Sequence, residues 1–116
     1  MSPQADRAGS VFAALADERR RWIVRELAEE GPLTATQLAA RTEVSRQAVG
    51  KHLAVLEMAG LVVARRSGRE ALVELRPGPF SEAEAWMRAI GASWSLRLDA
   101  LKSLVEGPDL HVVRRS

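Results

Sequence analysis

Ser45, Arg46, Gln47, Lys51 and His52 fall within eight residues of one another. The two cations and the amide among them, grouped over two helical turns, offer hydrogen-bond donors and positive charge. They suit a polyanion whose edges also carry hydrogen-bonding groups, which describes double-stranded DNA. Arg66 and Arg69, separated by Ser67 and Gly68, form a second basic group. Between residues 41 and 69, six basic residues stand against Glu43 and Glu57. That is a local net of +4 in a chain whose formal charge is only +2, so basicity is concentrated around these two groups.

Other chemistries lack their residues. There are no cysteines, which excludes disulfides and thiolate metal ligands. The two histidines, His52 and His111, lie on different segments, so no imidazole and carboxylate set converges and neither a metal site nor a cofactor is expected. There is no tyrosine, and no histidine beside a Ser/Asp pair that a fold would assemble, so an enzyme is not expected. The 116 residues, 47% hydrophobic and 28% charged, fit one globular domain. No run spans a bilayer and the first ten residues lack an apolar signal segment, so no membrane partner is expected and the protein is expected in the cytosol.

The first basic group needs a helix to carry it, and residues 44–60 read as one. Ser45 can cap its start and Gly60 can end it in a left-handed conformation. Val49, Leu53 and Leu56 share a stripe, with Arg46, Gln47, Gly50 and Lys51 on the other side. Immediately upstream, Thr34-Ala35-Thr36-Gln37 fits a capping box that opens a helix running to about Arg41. Only Thr42, Glu43 and Val44 separate that helix from Ser45, which is helix-turn-helix spacing. Beyond Gly60 the period changes. Residues 61–65 and 71–75 read as strands, joined by a basic tip with Gly68 supplying a positive φ, and the pair forms a two-stranded wing.

Two further helices precede this unit. Ala8, Val11, Phe12 and Leu15 recur at helical spacing, and Asp17 can cap a second helix with Ile23, Val24 and Leu27 inward. Arg19-Arg20-Arg21 on that helix reads as a solvated face balanced by nearby glutamates. Pro77-Gly78-Pro79 breaks the chain, and Ser81 can cap a final helix to about Glu106. On it Trp86, Ile90, Trp94, Leu98 and Leu101 form an apolar stripe that must be buried against something. The expected dimer interface is therefore Val11, Phe12, Leu15, Trp86, Ile90, Trp94, Leu98 and Leu101, and the expected assembly is a homodimer. The predicted organisation is a flexible tail over residues 1–9, one domain over 10–106 and a second tail over 107–116. The fold class is mainly α with a β wing: a winged helix-turn-helix of about five helices.

This order of elements resembles the ArsR-type winged-helix repressors over residues 11–106. Leu15-Ala16-Asp17 followed by Arg20-Arg21 resembles the family's lead into its second helix, although Glu18 and Arg19 replace the usual proline and small polar residue. Val44-Ser45, Val49, His52-Leu53, Val55-Leu56 and Ala59-Gly60-Leu61-Val62 resemble its recognition-helix signature, and Arg66 to Arg69 its wing. The resemblance implies that Ser45, Arg46, Gln47, Lys51 and His52 meet the major groove and phosphates of an inverted-repeat operator, with Arg66 and Arg69 contacting its flanks. Founding members sense metals through cysteines in the helix before the recognition helix or through Asp and His on the last helix. Neither set occurs here, so the resemblance is to the metal-free branch. A small-molecule effector is compatible with the sequence, but no residue identifies one. The rival reading is a winged helix that docks on protein without sequence-specific DNA binding.

Overall fold

The structure, a computed structural model, describes residues 3–106, with side chains from Asp6 to Leu104. Five helices and three strands follow in the order α1 (Pro3–Ala14), α2 (Glu18–Glu30), β1 (Leu33–Thr34), α3 (Ala35–Ala39), α4 (Arg46–Met58), β2 (Val62–Ser67), β3 (Glu70–Leu75) and α5 (Pro77–Glu106). Two compact units divide the chain after Glu84.

The first unit is built around buried Ile23 and Leu27 of α2, Leu38 of α3, Val49, Leu53 and Leu56 of α4, and Leu61, Val62 and Val73 beside them. These aliphatic residues recur every three or four positions on each helix, so each helix turns one stripe inward. The helix starts are fixed chemically. Thr34 Oγ1 accepts from Gln37 N–H at 3.0 Å while Gln37 Oε1 accepts from Thr34 N–H at 2.9 Å, closing the expected capping box. Ser45 Oγ accepts from Ala48 N–H at 3.1 Å and caps α4. The end of α4 is equally defined. Leu61 N–H reaches Leu56 C=O at 3.0 Å and Gly60 N–H reaches Glu57 C=O at 2.9 Å, with Gly60 at φ +77°. This pair of bonds is a Schellman motif, which satisfies the last carbonyls and turns the chain into β2.

The sheet differs from the expected two-stranded wing. β3 is central, paired antiparallel with β2 (Val62↔Leu75 to Ser67↔Glu70) and with β1 (Leu33↔Val73). β1 is only two residues, too short to show an alternating pattern, but it anchors the hairpin to the helical body. Gly68, at φ +65°, makes the tight tip possible.

Three boundaries also shift. α1 begins at Pro3, not near Ala8, so residues 3–9 are helical where a tail was expected. Arg7 Nε holds Glu82 Oε1 at 2.8 Å and Ala8 is buried. α3 stops at Ala39, short of the expected Arg41. α5 starts at Pro77, because prolines are accommodated in a first turn whose N–H groups have no intrahelical partner. The expected tail over residues 107–116, with His111, lies outside the described residues.

In the second unit, α5 beyond Glu84 exposes its apolar stripe: Ile90, Trp94 and Leu101 are 52%, 58% and 56% exposed. Val11 is a correction: at 2% exposure it is buried within the chain and is unavailable to a partner.

The Schellman glycine gives a direct test. Gly60→Ala places a Cβ in the left-handed region, which costs about 1 to 2 kcal/mol. That site is otherwise open, its nearest neighbour being Pro79 Cγ at 3.7 Å, so urea unfolding should show a loss of that size from backbone strain alone.

Candidate nucleic-acid interface

Burial of Val49, Leu53 and Leu56 fixes the rotation of α4 and divides its remaining surface into two flanks. Arg46 and Gly50 lie on one flank, where they line a cleft of about 460 Å³ between α4, the start of α3 and the wing. Arg66 and Arg69 line the opposite wall. Arg46 is held in place by a 3.2 Å hydrogen bond from its Nε to Thr36 Oγ1 on α3. Gln47 and Lys51 are exposed one step further round the same helix. Ser45 is also exposed; its oxygen serves the helix cap, which leaves its hydroxyl proton able to donate outward. The structure thus brings Ser45, Arg46, Gln47 and Lys51 onto one helix start, with Arg66 and Arg69 across the cleft.

Ion pairing sorts the basic residues further. Arg41 reaches Glu26 at 3.1 Å and Glu30 at 3.7 Å. Arg65 grips Glu74 with both Nε, at 2.9 Å, and Nη2, at 3.2 Å. Among the described residues, Arg46, Lys51, Arg66 and Arg69 form no ion pair, so the net positive charge of this region is left on the helix start and the wing tip. The positive end of the α4 dipole adds to it.

His52 sits apart from this group. It lies on the other flank of the buried stripe, half-buried beside Arg19, Trp22 and Ile23 of α2 and Thr42 and Val44 of the turn. Its Nδ1 is 3.4 Å from Nη1 of Arg20. The same guanidinium donates from Nε to Ala14 C=O at 2.6 Å and from Nη2 to Ala13 C=O at 3.5 Å, while Arg21 Nη1 donates to Leu15 C=O at 2.7 Å. The arginine run at the start of α2 is therefore more than a solvated face: two of its members donate to carbonyls at and just past the end of α1. No periodic pattern announces this, because the partners are main-chain oxygens and a histidine 32 positions away.

Asp17 caps α2, its Oδ1 accepting from Arg19 N–H at 2.8 Å and Arg20 N–H at 3.2 Å. Desolvation pushes its carboxyl pKa up. The two backbone hydrogen bonds, aided by the charges of His52 and Arg20, outweigh that push and hold it below the ordinary value of 3.8.

The comparisons with known proteins bear on the fold that carries these residues. A family model described as a helix-turn-helix domain matches residues 15–65. The HTH-type transcriptional regulator Rv2034 of Mycobacterium tuberculosis is 47% identical over 84 residues, covering 68% of this chain and 78% of that protein. The arsenical resistance operon repressor of Escherichia coli is 30% identical over 96 residues, covering 82% and 79%. Among solved structures, an ArsR-like transcriptional regulator from Rhodococcus sp. RHA1 superposes with a TM-score of 0.84 at 37% identity, covering 92% of this chain and all of that one.

The Asp17 cap makes folding pH-dependent in a definite direction. A carboxylate whose pKa is lower folded than unfolded contributes stability that is complete above the unfolded value and is lost as pH falls through the folded one. Asp17→Asn keeps an acceptor for the cap but cannot titrate, so its chemical unfolding midpoint should fall less steeply than that of the parent chain below about pH 4.

Proposed function

The chain belongs to the ArsR family of helix-turn-helix, DNA-binding transcriptional regulators, and from that membership we propose a homodimeric cytoplasmic repressor that occludes its promoter by binding an inverted-repeat operator. The observation that carries this reading is the placement of Arg46, Lys51, Arg66 and Arg69, outside any ion pair among the described residues, around the start of α4 and the wing tip. In the proposed complex, the first turns of α4 enter the major groove. Arg46, Gln47 and Lys51 meet base edges and phosphates there, Ser45 donates to a phosphate, and Arg66 and Arg69 hold the flanking backbone. The names of relatives such as the arsenical resistance operon repressor support repression as the outcome.

Dimerisation is proposed through the exposed stripe of α5, with Ile90, Trp94, Leu98 and Leu101 at its centre and Trp86 at its start. Phe12 and Leu15 of α1 are proposed to bury against the second copy as well, Phe12 being exposed and Leu15 half-buried in the single chain. Two copies of α4 would then meet successive major grooves about 34 Å apart. This arrangement makes the operator a palindrome.

Selection from random DNA should return such an inverted repeat. On the selected site, a dimer that neutralises about seven phosphates gives a slope of log K against log salt near −6. A flat slope would instead indicate docking on an acidic protein. Arg46→Ala and Arg69→Ala should each weaken operator binding by roughly 5- to 150-fold, which corresponds to the usual 1 to 3 kcal/mol of such contacts. Unchanged affinity in both variants would remove the proposed interface. Trp94→Glu puts a charge in the centre of the α5 stripe and should convert the dimer to a monomer by light scattering.

A further inference from the structure

We propose that the cleft between α4 and the wing seats one sugar–phosphate strand of the duplex, with Gly50 as its point of closest approach to α4. The inference deepens the DNA-binding reading above and rests on it. It starts from a glycine that the fold does not need. Gly50 stands inside α4, where glycine is the least favourable residue after proline. Unlike Gly31, Gly60 and Gly68 it has no positive φ, and a Cβ added to it would meet nothing within 4 Å. A larger residue therefore suits the free protein at least as well. What the glycine supplies is room on the cleft side of the helix, one turn beyond Arg46.

The lining of the cleft matches such a strand in charge and in polarity. Arg46 stands on the α4 side and Arg66 and Arg69 on the wing side, all three outside any ion pair among the described residues. Arg46 gives only its Nε–H to Thr36, so the N–H groups of both Nη atoms remain to donate into the cleft. Cations on both walls of an open channel suit phosphates, which repeat along a strand, better than a base edge, whose groups are neutral. Between the arginines the lining is small and apolar: Gly50 and Ala54 from α4, Ala64 and Ala71 from the wing. No side chain there forms a hydrogen bond, and the deoxyribose between two phosphates is the part of the strand that least needs one. Glu57 and Glu70 also line the cleft, so three arginines against two glutamates leave a net of +1. Glu57 lies about three turns along α4 from Arg46, which keeps the phosphates toward the helix start, where the dipole is positive. Since Gly50 meets sugar and not a base edge, filling its space should weaken binding without changing the preferred sequence.

Gly50→Ala and Gly50→Leu test this in the full chain. Both should raise the urea midpoint of the free protein, because each is a better helix former than glycine. Both should nonetheless bind the selected operator more weakly, Gly50→Leu by roughly 5- to 150-fold and Gly50→Ala by less, since overpacking a close contact costs that much. Selection from random DNA with Gly50→Leu should return the consensus of the parent chain. Neutral methylphosphonates, placed one at a time along that operator, then locate the strand. The phosphates whose neutralisation no longer matters in Arg46→Ala and in Arg69→Ala should be the same or adjacent on one strand. A lower urea midpoint in Gly50→Ala would mean that the fold itself needs the glycine, and overturns the proposal. So does parental affinity in Gly50→Leu, a changed consensus, or Arg46 and Arg69 phosphates on different strands, each of which leaves the DNA-binding reading standing. A parent chain that selects no operator overturns both.

Discussion

Burial of Val49, Leu53 and Leu56 beneath α4 is the constraint on which the rest of this molecule depends. Each such side chain contributes about 1.5 to 3 kcal/mol when taken out of water, so three of them outweigh any polar contact the helix makes. They permit one rotation of α4. A turn of about 100°, one residue's worth, would bring charged or small residues inward and expose the aliphatic ones. With the rotation fixed, the positions on either side of the stripe have no choice of direction. Arg46 and Gly50 line the cleft, and His52 faces α2.

Electrostatics then refines what packing has placed. The chain carries 17 basic and 15 acidic residues, so indiscriminate pairing would leave little field at any surface. Pairing here is selective. Glu26 and Glu30 engage Arg41, Glu74 engages Arg65 and Glu82 engages Arg7. Exposed pairs of this kind add at most about 1 kcal/mol each to stability, so their main effect lies in the charge they remove from view. What stays outside those pairs on α4 and the wing is Arg46, Lys51, Arg66 and Arg69 against Glu57 and Glu70, a net positive group beside a helix N-terminus. Such a distribution favours an anionic partner through steering and counterion release even though the whole chain is nearly neutral.

Much of this could be read before any coordinates, and the reasons are local. Ser45, the Thr34/Gln37 box, Gly60 and Gly68 each act on backbone groups within a few residues, so their identity nearly dictates their conformation. The stripes on α2 and α4 are legible for the same reason. Features set by distant neighbours were not. β1 exists only because Leu33 and Thr34 lie beside Val73 and Leu72, a pairing between segments about forty residues apart. Val11 shares the period of Phe12 and Leu15, and only the packed structure shows that it turns inward. The cations of the interface were visible as residues, but which of them acids would neutralise depended on Glu26 and Glu74 arriving from other elements. Arg20 was hidden most completely, because it looks like any charged residue in a run until the carbonyls of Ala13 and Ala14 appear in front of it.

A helix that reads a partner has to be free on one side and held on the other, and α4 meets the two requirements with different chemistry. The cleft flank keeps small residues and cations outside ion pairs, which gives room and charge but little rigidity; Arg46 owes its orientation to a single bond with Thr36. Rigidity has to come from behind. Aliphatic burial fixes rotation but tolerates sliding along the helix axis, since apolar contacts are non-directional. Directional contacts are what resist sliding, and among the described residues α4 has the Ser45 cap, the Schellman turn at Gly60, the Arg46–Thr36 bond and the His52–Arg20 contact. The first two bind the helix to its own ends. The other two reach neighbouring helices, α3 at Thr36 and α2 at Arg20, whose guanidinium also donates to the end of α1. Recognition geometry is sensitive to displacements of about 1 Å. Those two contacts are thus the polar ones through which neighbouring helices bear on where Arg46 and Lys51 point.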